Sequence, residues 1–345
     1  MTTTESLKTQ VVHSEWFKSL AKYEKPDLKK ALGQVADTLI PYFALWALMV
    51  YMVHHHFSLL LLAPLLVLSA GLLVRVFIIM HDCGHGSFFA SHKANRLLGQ
   101  FCSLLVFTPY FEWRHHHAAH HAAAGDLDRR GMGDVYTMTV EEFKAAPKRK
   151  QIGYRLYRNP FMLFIIGPPL LFLIMQRTYD KGATTLEKRS VISTNIGIAI
   201  MVALGSWAFG LKTYLLIQLP IIIMAAMVGV WMFYLQHQYE KVYWAPHHEW
   251  DPIRAALEGS SYFSLPPILQ WFSGNIGLHH IHHLRSRIAN YNLQKCFDEV
   301  PELQNVEPLT LKTSFKCMRL NLWDESELKL VSFKVLKHSN KLRME

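Results

Sequence analysis

At 345 residues, with 51% hydrophobic and 18% charged side chains, the chain has the balance of a membrane protein and not of a disordered one. The formal charge of +10 would suit nucleic acid, yet the basic residues sit between apolar bands and no nucleic-acid module is visible. Anionic lipid headgroups explain them better, and a nucleic-acid partner is excluded. Cys83, Cys102, Cys296 and Cys317 have no paired spacing, which excludes a disulfide framework and reads as reduced thiols.

Residues 1–34 are polar, carry six lysines and lack the apolar core of a secretory signal. Two bands long enough to cross a bilayer core follow, at 35–53 and 57–80. His54–His56 lie in the short turn between them. The second band runs directly into His81-Asp82-Cys83-Gly84-His85, and a continuing helix puts His81 and His85 on one face. Leu97–Phe111 is apolar but short. Beyond it, His117, His120 and His121 follow the pattern His-x-x-His-His, which forms one helical stripe. Phe161–Met175 is also short, and Pro168-Pro169 interrupt it.

Two further bands span 191–210 and 213–235. Asp37 and Arg75 are the only formal charges in the four bands, each near enough to an end to snorkel. His237 follows the last band, and His279, His282 and His283 repeat the His-x-x-His-His pattern. The ligands can share one site only if Leu97–Phe111 and Phe161–Met175 do not cross, so both are expected to be interfacial or re-entrant. Lys and Arg number 6 in residues 1–34, 15 in 81–190 and 13 in 236–345, against none in the His54–His56 turn. The positive-inside rule then makes both termini and the intervening segment cytoplasmic.

The expected fold is a single all-α integral-membrane domain over residues 1–345. Four transmembrane helices form two hairpins, and a cytoplasmic helical cap (81–190 and 236–345) holds a histidine-rich metal site. Imidazole suits iron, zinc, copper and nickel. Eight patterned histidines exceed the needs of one zinc and suffice for two metals with open positions. The ninth candidate, His237, is either a ligand or an interfacial histidine. His115, His116 and His280 lie beside the patterns but off them, His247 and His248 stay open, and the topology excludes His54–His56. Asn275 either holds a water on a metal or serves as a turn residue. Asp82, Asp126, Asp128, Asp134 and Glu240 are candidates to orient ligating imidazoles.

At its three histidine boxes the sequence resembles the membrane fatty acid desaturases of the acyl-lipid, omega-6/delta-12-like branch. The likeness is carried by His81–His85 with Gly86-Ser87-Phe88-Phe89, by His117–His121 with Gly125-Asp126-Leu127-Asp128-Arg129-Arg130, and by Gly274-Asn275-Ile276-Gly277-Leu278 before His279–His283 with Asn290-Tyr291-Asn292-Leu293 after it. It implies two non-haem irons, dioxygen as co-substrate, and a cis double bond introduced into a membrane-lipid acyl chain. It also implies an external electron donor, a ferredoxin or cytochrome b5-like protein, since no His-Pro-Gly-Gly segment marks a fused cytochrome. The alternative is a di-iron membrane hydroxylase acting on an alkyl or acyl chain. No Asn-Tyr-x-Glu-His segment of the alkane hydroxylases is found. A histidine-rich metal transporter is disfavoured, because the four bands contain no histidine.

Overall fold

The structure, a computed structural model, describes residues 11–12, 14–131 and 133–336. The expectation for residues 1–34 therefore falls partly outside the described residues. Among the described residues, four helices are long and apolar enough to cross a membrane: Leu28–His54, Leu59–His85, Thr185–Phe209 and Leu211–His237. They cover the expected bands, except that the second starts two residues inside its band and the third ends one residue short of its own, and each runs past its band at one end or both into polar turns. Asp27 caps the first, its carboxylate accepting the Lys29 and Lys30 N–H groups at 2.9 and 3.1 Å. Thr184 and Glu187 form a capping box on the third. The second ends at Gly86, whose φ of 70° is the left-handed conformation that glycine adopts without strain.

Two hairpins result. Residues 55–58 join the first pair, and Gly210, at φ 81°, joins the second. The second span is the most enclosed, with 56% of its apolar window buried against 22%, 11% and 33% for the others. That makes the helix bearing the first box the centre of the bundle.

The two ambiguous stretches are shaped by breaks. Leu97–Phe111 is divided between helices His92–Leu105 and Tyr110–Ala123, with Phe107 in the left-handed region at φ 56° between them. A 14-residue helix extends only about 21 Å, short of the roughly 30 Å hydrocarbon core. Phe161–Met175 opens with a π-helical turn, Met162–Ile166, and passes into Gly167–Leu173, where Pro168 and Pro169 supply no N–H to the turn before them. Together with Lys148–Tyr157 it makes a pair bent by 59°, the geometry of a broken span or re-entrant loop.

Two features were not expected. A small sheet pairs Met138–Thr139 in parallel with Leu322–Asp324, which pairs antiparallel with Lys329–Val331. Strands of two or three residues leave no readable alternation. Second, the segment before the first span is not merely a polar leader. Phe17, Leu20 and Tyr23 are buried in one cluster with Ile276, Leu278, Ile281 and Leu293, on both sides of the third box. All four cysteines are free and buried, as their spacing suggested.

Candidate metal centre

Each box is presented by a helix end or a short helix. His81 and His85 occupy the last turns of the second span, and His237 is the last residue of the fourth. His117, His120 and His121 lie on Tyr110–Ala123, and His279, His282 and His283 on His279–Leu284. The helix did continue from Met80, so His81 and His85 share a face.

The nine imidazoles sort into two groups. One holds His81, His85, His117, His121 and His282; the other holds His120, His237, His279 and His283. Within each group, one nitrogen per ring lies within 4.8 Å of the others. His85 Nε2 is 2.9 Å from His117 Nε2, which is 3.1 Å from His121 Nε2, which is 3.0 Å from His282 Nε2. In the second group His237 Nε2 is 3.0 Å from both His120 Nε2 and His279 Nε2. Metal–imidazole bonds of about 2.1 Å meeting at right angles would put their nitrogens about 3.0 Å apart, so these spacings match the edges of a coordination polyhedron. The stacked rings of His121 and His283, with centroids 4.1 Å apart, join the groups.

Burial, followed by repulsion from neighbouring imidazoles, holds His117, His120, His121, His279, His282 and His283 well below the usual histidine pKa. They are therefore neutral, the form that ligates. Nε2 of His283 is buried without a hydrogen-bond partner among the described residues. A cation within the group would supply what that atom lacks. The donor set, five nitrogens beside four, fits a pair of imidazole-binding metals.

Supports surround the set. Asp82 Oδ1 lies 2.9 Å from His81 Nδ1, and its Oδ2 accepts the backbone and side-chain N–H groups of Asn290 at 2.6 and 2.8 Å. His237 Nδ1 donates to the Gly259 carbonyl at 3.1 Å, leaving Nε2 for the cluster. Trp113 stacks on His117 with ring centroids 4.7 Å apart.

The other sequence candidates have different partners. Asp126 is fully buried and accepts from His247 Nδ1 at 2.8 Å, Arg129 Nε at 2.5 Å and the Asp128 N–H at 3.0 Å. Glu240 is exposed, and its backbone carbonyl accepts from Leu330. Asn275 takes the left-handed conformation, φ 58°, and donates its amide to the Asn290 carbonyl at 3.2 Å, as a turn residue would. Asp128 accepts the His247 N–H, and Asp134 accepts the Gly131 N–H. Of these carboxylates, Asp82 is the one brought onto a box imidazole.

His115 and His116 pair with Glu187 and Asp180 at 3.4 and 3.1 Å. His280 is buried and donates Nε2–H to the Leu303 carbonyl at 3.0 Å. His54–His56 lie at the far end of the first hairpin.

Sequence reasoning missed Asn290, Gly259 and Trp113 as supports. Asn290 stands in the Asn-Tyr-Asn-Leu segment after the third box, and Trp113 stands four residues before His117 on the same helix, so both had a local signal. The Gly259 carbonyl had none, since a backbone acceptor carries no residue-type signature.

Comparison with known proteins agrees with this geometry. A family model described as fatty acid desaturase matches residues 56–310. A fatty acid desaturase of Bacillus subtilis (strain 168) is 43% identical over 321 residues, covering 93% of this chain and 91% of that protein. More distant is the sn-1 oleoyl-lipid 12-desaturase of Synechocystis sp. (strain ATCC 27184 / PCC 6803 / Kazusa), 24% identical over 67% of this chain and 65% of its own. The sn-1 acyl-lipid omega-3 desaturase (ferredoxin) of Nostoc sp. (strain 36) is 26% identical over 65% and 63%.

Proposed function

Because the chain belongs to the fatty acid desaturase family and is therefore an oxidoreductase, we propose that it introduces a cis double bond into the acyl chain of a membrane lipid, with delta-12/omega-6-like position. The observation that carries this reading is the sorting of nine histidines into groups of five and four with facing nitrogens about 3 Å apart. The flanking segments around the three boxes support the acyl-lipid branch. Relatives named for the 12 and omega-3 positions stand at similar identities of 24% and 26%, so the position itself rests on those segments.

We assign His81, His85, His117, His121 and His282 to one iron and His120, His237, His279 and His283 to the other. Bound there, the iron pair supplies the reduction of dioxygen and the removal of hydrogen from an unactivated methylene. The chain's own residues hold the imidazoles neutral by burial and fix their orientation. Asp82 accepts from His81 Nδ1, and the Gly259 carbonyl accepts from His237 Nδ1. Electrons come from a separate ferredoxin or cytochrome b5-like donor, steered to the basic face that carries the boxes. In this reading residues 1–345 are one domain, and the centre and both termini are cytoplasmic.

Two measurements test the proposal. Metal analysis of the purified protein is expected to return two irons per chain; a single zinc in fully active protein would refute the ligand assignment. Expression in a host whose lipids are saturated or monounsaturated is expected to yield a new double bond by gas chromatography. Hydroxylated products alone would favour the alternative, a membrane hydroxylase.

A further inference from the structure

Arg75 does not snorkel to water. It lies inside the second span and is only 7% exposed. Its Nε donates to Thr38 Oγ1 at 3.0 Å, its Nη1 donates to the Trp271 carbonyl, and its guanidinium stacks on the Trp271 ring at 4.1 Å. Among the described residues Nη2 reaches only Asp37, at 3.5 Å, longer than a charge-assisted hydrogen bond. A buried cation in a membrane span marks a site by default, and here it lines a cleft of about 580 Å³.

Gln34 lines the same cleft. It is 96% buried by its 4% exposure, and its Nε2 donates to Asn290 Oδ1 at 2.9 Å. Its Oε1 has no hydrogen-bond partner among the described residues. The cleft thus offers an unused acceptor beside a cation with donors to spare.

The depth of the cleft identifies what enters it. Counting along the second span from Leu59 at about 1.5 Å per residue puts Arg75 about 24 Å up the helix and His81 about 33 Å up it. Counting along the first span from His54 puts Asp37 about 25 Å and Lys30 about 36 Å from the same membrane face. The cleft straddles the edge of a hydrocarbon core about 30 Å thick, and the box histidines lie beyond it. Ile40, Ile268 and Leu269, close in sequence to the lining residues Asp37, Pro267 and Gln270, are exposed and offer surface suited to acyl chains. Lys30 and Arg75 against Asp37 leave one net positive charge in the lining. That balances one phosphodiester and falls short of the several phosphate charges of an acyl-CoA.

We propose that this cleft binds the phosphodiester headgroup of the glycerophospholipid whose acyl chain reaches the metal centre, with Arg75 and Lys30 on the phosphate and Gln34 Oε1 accepting from a headgroup hydroxyl or amine. This rests on the acyl-lipid reading above and names its headgroup class. Arg75, the proposed phosphate contact, stands about 12 Å along the helix axis from the midpoint of His81 and His85, so the same anchoring would fix which carbon arrives at the histidines.

The test is native mass spectrometry of the full-length protein in a neutral detergent, with dioleoyl phosphatidylglycerol, dioleoylglycerol and oleoyl-CoA offered at equal concentration. One retained phosphatidylglycerol, preferred at least tenfold over dioleoylglycerol, is expected. Arg75→Gln is expected to reduce that preference to twofold or less. Lys30→Gln, an exposed position whose change leaves the bonds to Thr38 and Trp271 intact, is expected to reduce it at least threefold. Equal retention of dioleoylglycerol, retention of oleoyl-CoA instead, displacement of the lipid by millimolar inorganic phosphate, or unchanged preference in both variants would each overturn the assignment. Iron content and double-bond formation by the unmodified protein, measured in parallel, separate the two readings: desaturation without headgroup preference sinks the cleft alone, and absent desaturation sinks the function.

Discussion

Asp82 divides its carboxylate between two tasks, one oxygen on the His81 imidazole and the other on the Asn290 backbone and side chain. Asn290 in turn accepts from Gln34 of the first span, so one buried chain of polar contacts connects the first span, the segment after the third box and a first-box ligand. An amide at position 82 keeps the volume and loses the charge that fixes the His81 tautomer. Changes to such outer partners cost about 10–100-fold in metal affinity or activity. Asp82→Asn is therefore expected to lower double-bond yield by that factor while the protein remains in the membrane fraction, with iron per chain as the second readout. Asp126 serves a different purpose. Burial raises its pKa, but hydrogen bonds from His247, Arg129 and the Asp128 backbone outweigh burial and hold it below the usual carboxylate value. A depressed carboxylate contributes stability above its unfolded pKa, near 3.9, which is lost as pH falls through the folded value. Asp126→Asn is expected to cost about 1.5–3 kcal/mol at pH 7 and to flatten the loss of stability below about pH 4. Thermal melts in detergent from pH 7 to pH 3 measure both.

At the scale of elements, the boxes depend on how closely helices approach. A Cβ added at Gly84, in the last turn of the second span, would stand 2.9 Å from Trp113 Cζ3. Trp113 is the ring stacked on His117, so the small residue sets the spacing between the first and second boxes. The indole cannot yield without moving that imidazole. Overpacking of this kind costs about 1–3 kcal/mol. Gly84→Val is expected to lower the melting temperature by several degrees and to lose iron in proportion, whereas Gly153→Ala, at an open position, is expected to change neither. The spacing patterns made the box helices legible, because His-x-x-His-His describes a stripe on a helix whatever surrounds it. Helix ends were less legible. Capping at Asp27 and Thr184 carried the first and third spans past their apolar bands, and capping reads as polar sequence. The small sheet and the N-terminal segment packed beside the third box were illegible, since both are specified by distant partners and not by local period.

On the whole molecule, the histidines also determine which helix ends lie together. His85 and His237 end the second and fourth spans, and each lies about 3 Å from a box-two nitrogen, so those two ends must share a membrane face. The first and third spans run antiparallel to their hairpin partners across short turns, which puts Leu28 and Thr185 on that face as well. The His54–His56 turn thereby falls on the opposite face, and its lack of Lys and Arg supports the proposal that this face is the exterior one. Because all four native cysteines are buried, introduced ones report cleanly on this arrangement. Cysteine at position 55 is expected to react with a membrane-impermeant maleimide in intact cells. Cysteine at position 93, at the start of the His92–Leu105 helix, is expected to react only after lysis. The reverse pattern would put the metal centre outside, away from any cytoplasmic reductant. Labelling of both in intact cells would break the shared face that the histidine distances require.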